Sequence, residues 1–345
     1  DAPEQKWNDY AGIDVKGKTV VMLVNDPGFQ AGDASLFDGK RMTYYGRWTY
    51  KFEEAARKGA AAALIIHDTE GASYGWDVVK NSWSGPQYDL PAKDDPAPRV
   101  PAQGWITGEA ATALFKAAGQ DLAKLRAAAN KRGFKPVPLD ATASLDLKSS
   151  SVEKSSRNVI GLLPGSETPD EAIVYMAHWD HLGTHDGEAG DNIYNGAVDN
   201  ATGVAAILEL AEAFRKAKTP PKRSILFLAV TLEESGLLGS KYYVAHPVVP
   251  LDKTVAVVNL DALAPIGKAR DITVVGKGSS ELEDVLKTVL DSQQRTAVGE
   301  ENTAAGYYFR SDHFNFAKAG VPALYIDSGT DLVEGGKAAG DAAGK

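Results

Sequence analysis

The sequence predicts an α/β protein, with a mostly parallel mixed sheet covered by helices in its second half and a β-rich module before it. Three observations carry this. From residue 172 onward, short apolar runs alternate with amphipathic helical stretches. Those runs are apolar on both faces, as central strands covered by helices must be. The first half has another texture, with short apolar runs set among Gly and Pro turn signals.

In the first half, Lys18 to Asn25 (KTVVMLVN) reads as a strand between Gly17 and the turn pair Pro27-Gly28. Tyr50 to Lys58 has helical periodicity and stops at Gly59, the residue type that closes helices in a left-handed conformation. Ala61 to His67 (AAALIIH) is a second buried strand. Asn81 to Pro101 is rich in Pro, Gly, Ser and Asp and predicts a long exposed loop. Thr107 caps a helix that runs to Ala118 and ends at Gly119. Trp48, Trp76, Trp83 and Trp105 offer a binding surface as one reading, and packing residues or loop staples as the simpler one. Lys148 to Arg157 (KSSSVEKSSR) is polar and serine-rich, so the expected division is 1–147 for the β-rich domain with its leading linker and 148–345 for the α/β domain.

In the second half, Ala172–Ala177, Ser224–Val230, Thr254–Leu260, Asp271–Val275 and Ala323–Ile326 predict strands. Val204–Lys216 and Glu281–Asp291 predict amphipathic helices. Gly335 to Lys345 (GGKAAGDAAGK) predicts a flexible end.

Bulk properties narrow the function classes. The chain has 345 residues, 43% hydrophobic and 24% charged, a balance that supports a packed core. Its 37 Lys and Arg against 46 Asp and Glu give a net charge of −9, which repels phosphate backbones and argues against nucleic acid as a partner. No cysteine is present, so a metal site must use His, Asp and Glu. No apolar run approaches the roughly 20 residues that span a bilayer.

The chemistry lies just beyond the predicted strands. AIVYMA is followed by His178-Trp179-Asp180, SILFLAV leads to Glu233-Glu234, and TVAVVNL leads to Asp261. In open α/β sheets, sites form at the carboxyl ends of strands. Asp199 lies in a loop entering a helix, and His313 follows Arg310-Ser311-Asp312. Each has an ordinary reading taken singly: a hydrogen-bonded histidine, a solvated acidic turn, a helix cap at Asp199, an ion pair at Asp261. Their joint delivery to one sheet edge favours a metal, because carboxylates after buried strands need a cation or a proton. Zinc takes imidazole and carboxylate. Asp180, two residues after His178, is placed to orient that imidazole. Glu233 and Glu234 are adjacent and cannot both face one metal from an extended strand, which suggests one ligand and one free base. Two zinc dications would be neutralised by three carboxylates and a bridging hydroxide.

His178-Trp179-Asp180-His181-Leu182-Gly183, Asn195 to Gly203 (NGAVDNATG), Glu233-Glu234-Ser235-Gly236, Asn259-Leu260-Asp261 and Ser311-Asp312-His313 resemble the M28 family of zinc aminopeptidases. Val15 to Val20 and Ala55 to Ala60 resemble an inserted protease-associated (PA) domain. The resemblance implies a zinc-exopeptidase fold, two Zn²⁺ per chain and peptide substrates with a free N-terminus. Carried over by position, His178 and Asp261 hold one zinc, Glu234 and His313 the other, and Asp199 bridges both. Glu233 is then the general base acting on the metal-bridging water. The resemblance also implies a cis peptide at Asp199-Asn200 and a secreted or periplasmic bacterial setting. It implies a peptidase segment ahead of the PA domain, and a His-containing stretch with a final helix beyond Asp341. Neither is recognisable between Asp1 and Lys345. Some members place an oxyanion-donating Tyr directly before the residue matching His313; here Asp312 stands there, and Tyr307 or Tyr308 is the candidate donor. His181 and His185 read as braces of the metal loop, His67 as a strand residue and His246 as a loop residue. Two other functions stay open: a single-zinc acyltransferase like the glutaminyl cyclases, and a non-catalytic binding ectodomain of the same fold. The oligomeric state is not readable.

Overall fold

The computed structural model describes residues 1–185 and 190–344. The chain forms two compact units. The first comprises residues 1–87, 96–152 and 302–309, and the second comprises 88–95, 153–301 and 310–345. The main crossing falls at Val152/Glu153, and each half also lends a short segment to the other unit.

The first unit contains β1 (Thr19–Leu23), α1 (Pro27–Ala31), α2 (Trp48–Arg57), β2 (Ala62–Ile66), α3 (Thr69–Ala72), α4 (Trp76–Ser82), β3 (Ala102–Ile106), α5 (Gly108–Ala117) and α6 (Leu122–Ala129). Its strands form one parallel sheet in the order β1-β2-β3. The expectation of a β-rich module is therefore corrected: this unit is itself α/β. Parallel neighbours cannot be joined by a tight hairpin, so each connection crosses over through helices. Phe52, Ala55 and Ala56 on α2 are buried at helical spacing against Val24, Ala63 and Ile65. Gly59 follows α2 at φ 74°, and the Ala60 amide bonds back to the Ala55 carbonyl, the left-handed closure that Gly59 predicted. Thr107 caps α5 by accepting from the Ala110 amide. The four tryptophans stack edge to face, Trp48 with Trp83 and Trp105, while Trp76 meets His67.

The second unit contains β4 (Val159–Leu163), β5 (Thr168–His178), β6 (Gly183–Thr184), β7 (Ile193–Tyr194), α7 (Ala201–Lys216), β8 (Arg223–Val230), α8 (Leu238–Ala245), β9 (Thr254–Leu260), β10 (Asp271–Val275), α9 (Leu282–Ser292), β11 (Thr296–Gly299), α10 (His313–Lys318), β12 (Ala323–Ser328) and α11 (Gly336–Ala343). Seven strands make a mixed sheet in the order β11-β10-β12-β9-β5-β8-β4. Only β10–β12 and β4–β8 are antiparallel. Alternation along the central strands fills both faces. Val174, Met176, Leu226, Leu228, Val230 and Val257 point one way, toward Tyr243 of α8 and Phe316 of α10. Tyr175, Ala177, Phe227, Val258 and Leu260 point the other way, toward Ile207 of α7. Each fully buried Val, Leu or Met contributes about 1.5–3 kcal/mol.

The end of the chain is also corrected. Gly336–Ala343 is helical where flexibility was expected. A Cβ on Gly340 would lie 2.0 Å from the Thr330 carbonyl oxygen, so glycine permits α11 to pack directly on backbone. Lys337 and Asp341 pair one turn apart at 2.7 Å.

Candidate metal centre

Three adjacent strands build the site. β9, β5 and β8 are parallel neighbours, so their carboxyl ends share one edge of the sheet. His178 is the last residue of β5, Asp261 follows β9, and Glu233 and Glu234 stand just beyond β8. Leu232 and Ala262 flank them at φ 56° and 53°, left-handed values that a non-glycine residue adopts only when its surroundings enforce them. His178 Nε2 lies 3.1 Å from Asp261 Oδ1 and 3.0 Å from Asp199 Oδ1. The His178 side chain is buried, whereas that of Asp199 is 48% exposed, so the cluster opens to solvent on the Asp199 side.

A second cluster shares Asp199 and adds His181 and Glu234. His181 Nδ1 sits 2.6 Å from Glu234 Oε1. The donors gathered here differ from the set implied by the resemblance, in which His313 stands opposite Glu234. His313 falls outside both clusters: it opens α10, is fully buried, and packs its ring on Tyr325 at 4.9 Å. The imidazole facing Glu234 is that of His181, which was read as a brace. Its signal was present in His178-Trp179-Asp180-His181, where the turn after β5 brings a second imidazole back to the strand end. Tyr307 and Tyr308 belong to the first unit.

These residues fit zinc. Each cluster offers imidazole and carboxylate donors within 4.8 Å of one another. His181 Nδ1, Glu234 Oε1 and Asp199 Oδ1 are buried atoms whose contacts lack hydrogen-bond geometry. Donor atoms converging at contact distance without hydrogen bonds are what a shared cation satisfies.

A layer of hydrogen bonds holds the donors. His178 Nδ1 bonds the Asp180 carbonyl at 3.0 Å, which points Nε2 at the carboxylates. The Asp180 carboxylate accepts the Glu233 amide at 3.1 Å and the Glu234 amide at 3.4 Å, so one side chain fixes both glutamates. Asn200, after the cis Asp199–Asn200 peptide, donates to the Leu260 carbonyl and accepts from the Gly203 and Ala262 amides. It thereby ties the Asp199 loop to the end of β9. A Cβ on Gly203 would lie 2.3 Å from that Leu260 oxygen, so the close approach of α7 requires glycine. Ser311 Oγ donates to Asp261 Oδ2 at 2.6 Å and accepts from Asn259 Nδ2 at 2.7 Å. Asn200, Asn259 and Ser311 had no role in the sequence reading, although all three lie inside the quoted motifs.

The electrostatics follow from this packing. Burial lowers the His178 pKa, but the close carboxylates of Asp180, Asp199 and Asp261 outweigh it and raise the net value. The close approach of His178 holds Asp199 below the ordinary carboxylate range. Burial, reinforced by Asp312 and Asp261, pushes Glu233 well up, and burial with the Asp199 charge raises Glu234. Burial also lifts Asp312 to about 7, against the Ser240 hydroxyl that donates to it. A cavity of about 220 Å³ adjoins the site, walled by Trp179, Ala201 and Val204 with His181 and Asn195 at its polar side.

The sequence profile of peptidase family M28 matches residues 158–342, more than half of the chain. The chain belongs to peptidase family M28. Among curated M28-like relatives, aminopeptidase YwaD of Bacillus subtilis is 28% identical over 207 residues, covering 56% of this chain and 40% of that protein. Aminopeptidase NAALADL1 of Mus musculus is 28% identical over 162 residues, 45% of this chain and 20% of that protein. The chain thus spans less than half the length of these relatives. The solved aminopeptidase of Aneurinibacillus sp. strain AM-1 is 20% identical, with a TM-score of 0.44, covering 96% of this chain and 68% of that one. The matched span contains every residue of both donor clusters.

Proposed function

We propose that this M28 chain is a two-zinc aminopeptidase that releases residues from the N-termini of peptides. The observation that carries the reading is the pair of donor clusters sharing Asp199, with Glu233 beside them and in neither. His178, Asp199 and Asp261 would hold one zinc, and His181, Asp199 and Glu234 the other. When bound, zinc supplies Lewis-acid polarisation of the scissile carbonyl. Glu233 takes the proton of the attacking water and delivers it to the departing amine. Asp180 holds Glu233 and Glu234 by their amides, so the base and the ligand keep a fixed offset. The choice of N-terminal substrates rests on the named activities of the relatives.

The first unit is proposed to be a PA domain, on the strength of its Val15–Val20 and Ala55–Ala60 segments. A secreted or periplasmic setting rests on the family resemblance alone. The deciding experiment combines zinc stoichiometry with hydrolysis of aminoacyl anilides. Glu233→Gln keeps the shape and the zinc but removes the base, and is expected to lower kcat by about 10²–10⁴-fold. Undiminished hydrolysis by that variant refutes the assignment. A single zinc per chain, with cyclisation of N-terminal glutamine, favours the acyltransferase reading instead.

A further inference from the structure

From Ala141 to Arg157 every residue is exposed and none lies in a helix or strand. Among the described residues, none from 141 to 155 makes a hydrogen bond or ion pair. Even Leu145, Leu147 and Val152 face solvent, at 60%, 77% and 77%. Anchoring resumes at Ser156, whose hydroxyl meets that of Thr231 at 2.8 Å, and at Arg157, whose carbonyl accepts from Trp179 Nε1. Within the unanchored run lie Lys148 and Lys154, each followed by serine. A peptidase needs an extended backbone free of internal hydrogen bonds, and within helices and strands local unfolding must supply it first. Here nothing has to open.

We propose that this linker is a processing site for a trypsin-like endopeptidase, one with an acidic pocket that accepts lysine, cutting after Lys148 and Lys154. The C–N bond of Lys148–Ser149 or Lys154–Ser155 breaks. Water supplies the hydroxyl of the new carboxyl group and the proton of the new amine. The product is a two-chain protein that does not come apart, because each fragment supplies a segment to the other's unit. Asn302–Phe309, from the C-terminal fragment, is part of the first unit. There the Met42 amide bonds the Thr303 carbonyl, Asn25 Nδ2 reaches the Ala304 carbonyl, Ala305 is fully buried, and Phe309 packs on Tyr44 at 5.7 Å. Tyr88–Asp95, from the N-terminal fragment, is part of the second unit. There Asp95 is buried against Lys241 at 2.5 Å, and Asp94 meets His246 at 3.2 Å.

Limited trypsin digestion of the intact chain under native conditions tests this. New N-termini at Ser149 and Ser155 are expected before any other cut. Two bands should appear on a denaturing gel, with one unshifted peak by size exclusion. The pair Lys148→Gln and Lys154→Gln should slow the first cut by about tenfold or more, since the next sites require local opening. A first cut elsewhere, an unprotected double variant, or fragments that separate without denaturant overturns the proposal. None of these readouts depends on peptidase activity.

Discussion

Ser311→Ala removes a single hydroxyl from the wall behind the metal centre. In the folded chain that hydroxyl donates to Asp261 Oδ2 at 2.6 Å, leaving Oδ1 to face His178 Nε2 at 3.1 Å. It also accepts the Asn259 amide, and all three residues are buried. Alanine frees Asp261 to rotate and strands an amide donor. A hydrogen bond to a charged group contributes about 1.5–3 kcal/mol. Partners that orient a ligand typically account for 10–100-fold in metal affinity, which is about 1.4–2.8 kcal/mol. The two estimates agree, so zinc affinity at the Asp261 cluster should fall about 10–100-fold. Competition titration against a zinc chelator at fixed pH measures it, with circular dichroism to confirm folding. Ser311→Thr keeps the donor and should recover most of the loss. A folded alanine variant whose zinc affinity stays within twofold of the parent refutes the claim that Ser311 sets the Asp261 geometry.

The choice of the histidine opposite Glu234 is decided by two variants. His181→Ala should abolish zinc binding at the Glu234 cluster, whereas His313→Ala should leave the zinc content of the folded protein unchanged; the reverse result restores His313 as the ligand. Asp26 belongs to the first unit, whereas the donor clusters belong to the second, and it gives a pH signature of its own. Burial raises its carboxyl from 3.8 to about 7, although the Thr43 amide and hydroxyl donate to it at 2.6 and 3.0 Å. Below the unfolded value both states carry the proton. Between about 4 and 7 only the folded state keeps it, so stability falls as pH rises through that window and levels off above it. Three pH units correspond to roughly 4 kcal/mol. Urea unfolding followed by tryptophan fluorescence should show this slope, and Asp26→Asn should flatten it. An equal slope in the variant rules Asp26 out as its source.

The elements legible from sequence were those whose burial leaves a periodic trace. Thr254–Leu260 and Asp271–Val275 appear with the expected bounds, and the other central strands differ only at their ends, because strands covered on both faces must be continuously apolar. β4 was not anticipated. It is an edge strand with Val159, Ile160 and Leu162 exposed, and an apolar run carrying glycine at its centre has no partner visible along the chain. β3 follows directly on the Pro-rich stretch and was not anticipated, since its strand character comes from pairing with β2 rather than from its own alternation. The β-rich reading of the first half failed for a related reason. Strands were recognisable there, but whether neighbours run parallel depends on the length and helicity of what joins them, and α1, α3, α4 and α6 are short or weakly periodic.

The site was legible to the extent that strand ends determine it. His178, Asp261, Glu233 and Glu234 are carried to one edge by β5, β9 and β8, so knowing the strands nearly suffices to know that these four meet. Asp199 and the second histidine are a different case. Their positions depend on the path of the chain between His178 and α7, which carries only the two-residue strands β6 and β7 and no hydrophobic period. What fixes that path is tertiary: Asn200 bonding across to the end of β9, and Gly203 admitting α7 to the same carbonyl. His313 illustrates the converse. It sits in a short motif with two polar neighbours that do serve the centre, Ser311 on Asp261 and Asp312 near Glu233. Ser311 precedes the Asp312 cap of α10, whereas His313 is its first residue, so the two side chains leave the chain in different directions. Ser311 reaches the metal-facing carboxylate while the His313 ring turns to Tyr325. Membership in the motif therefore indicates proximity to the centre, and the local path of the chain into α10 decides which way each side chain of the motif faces.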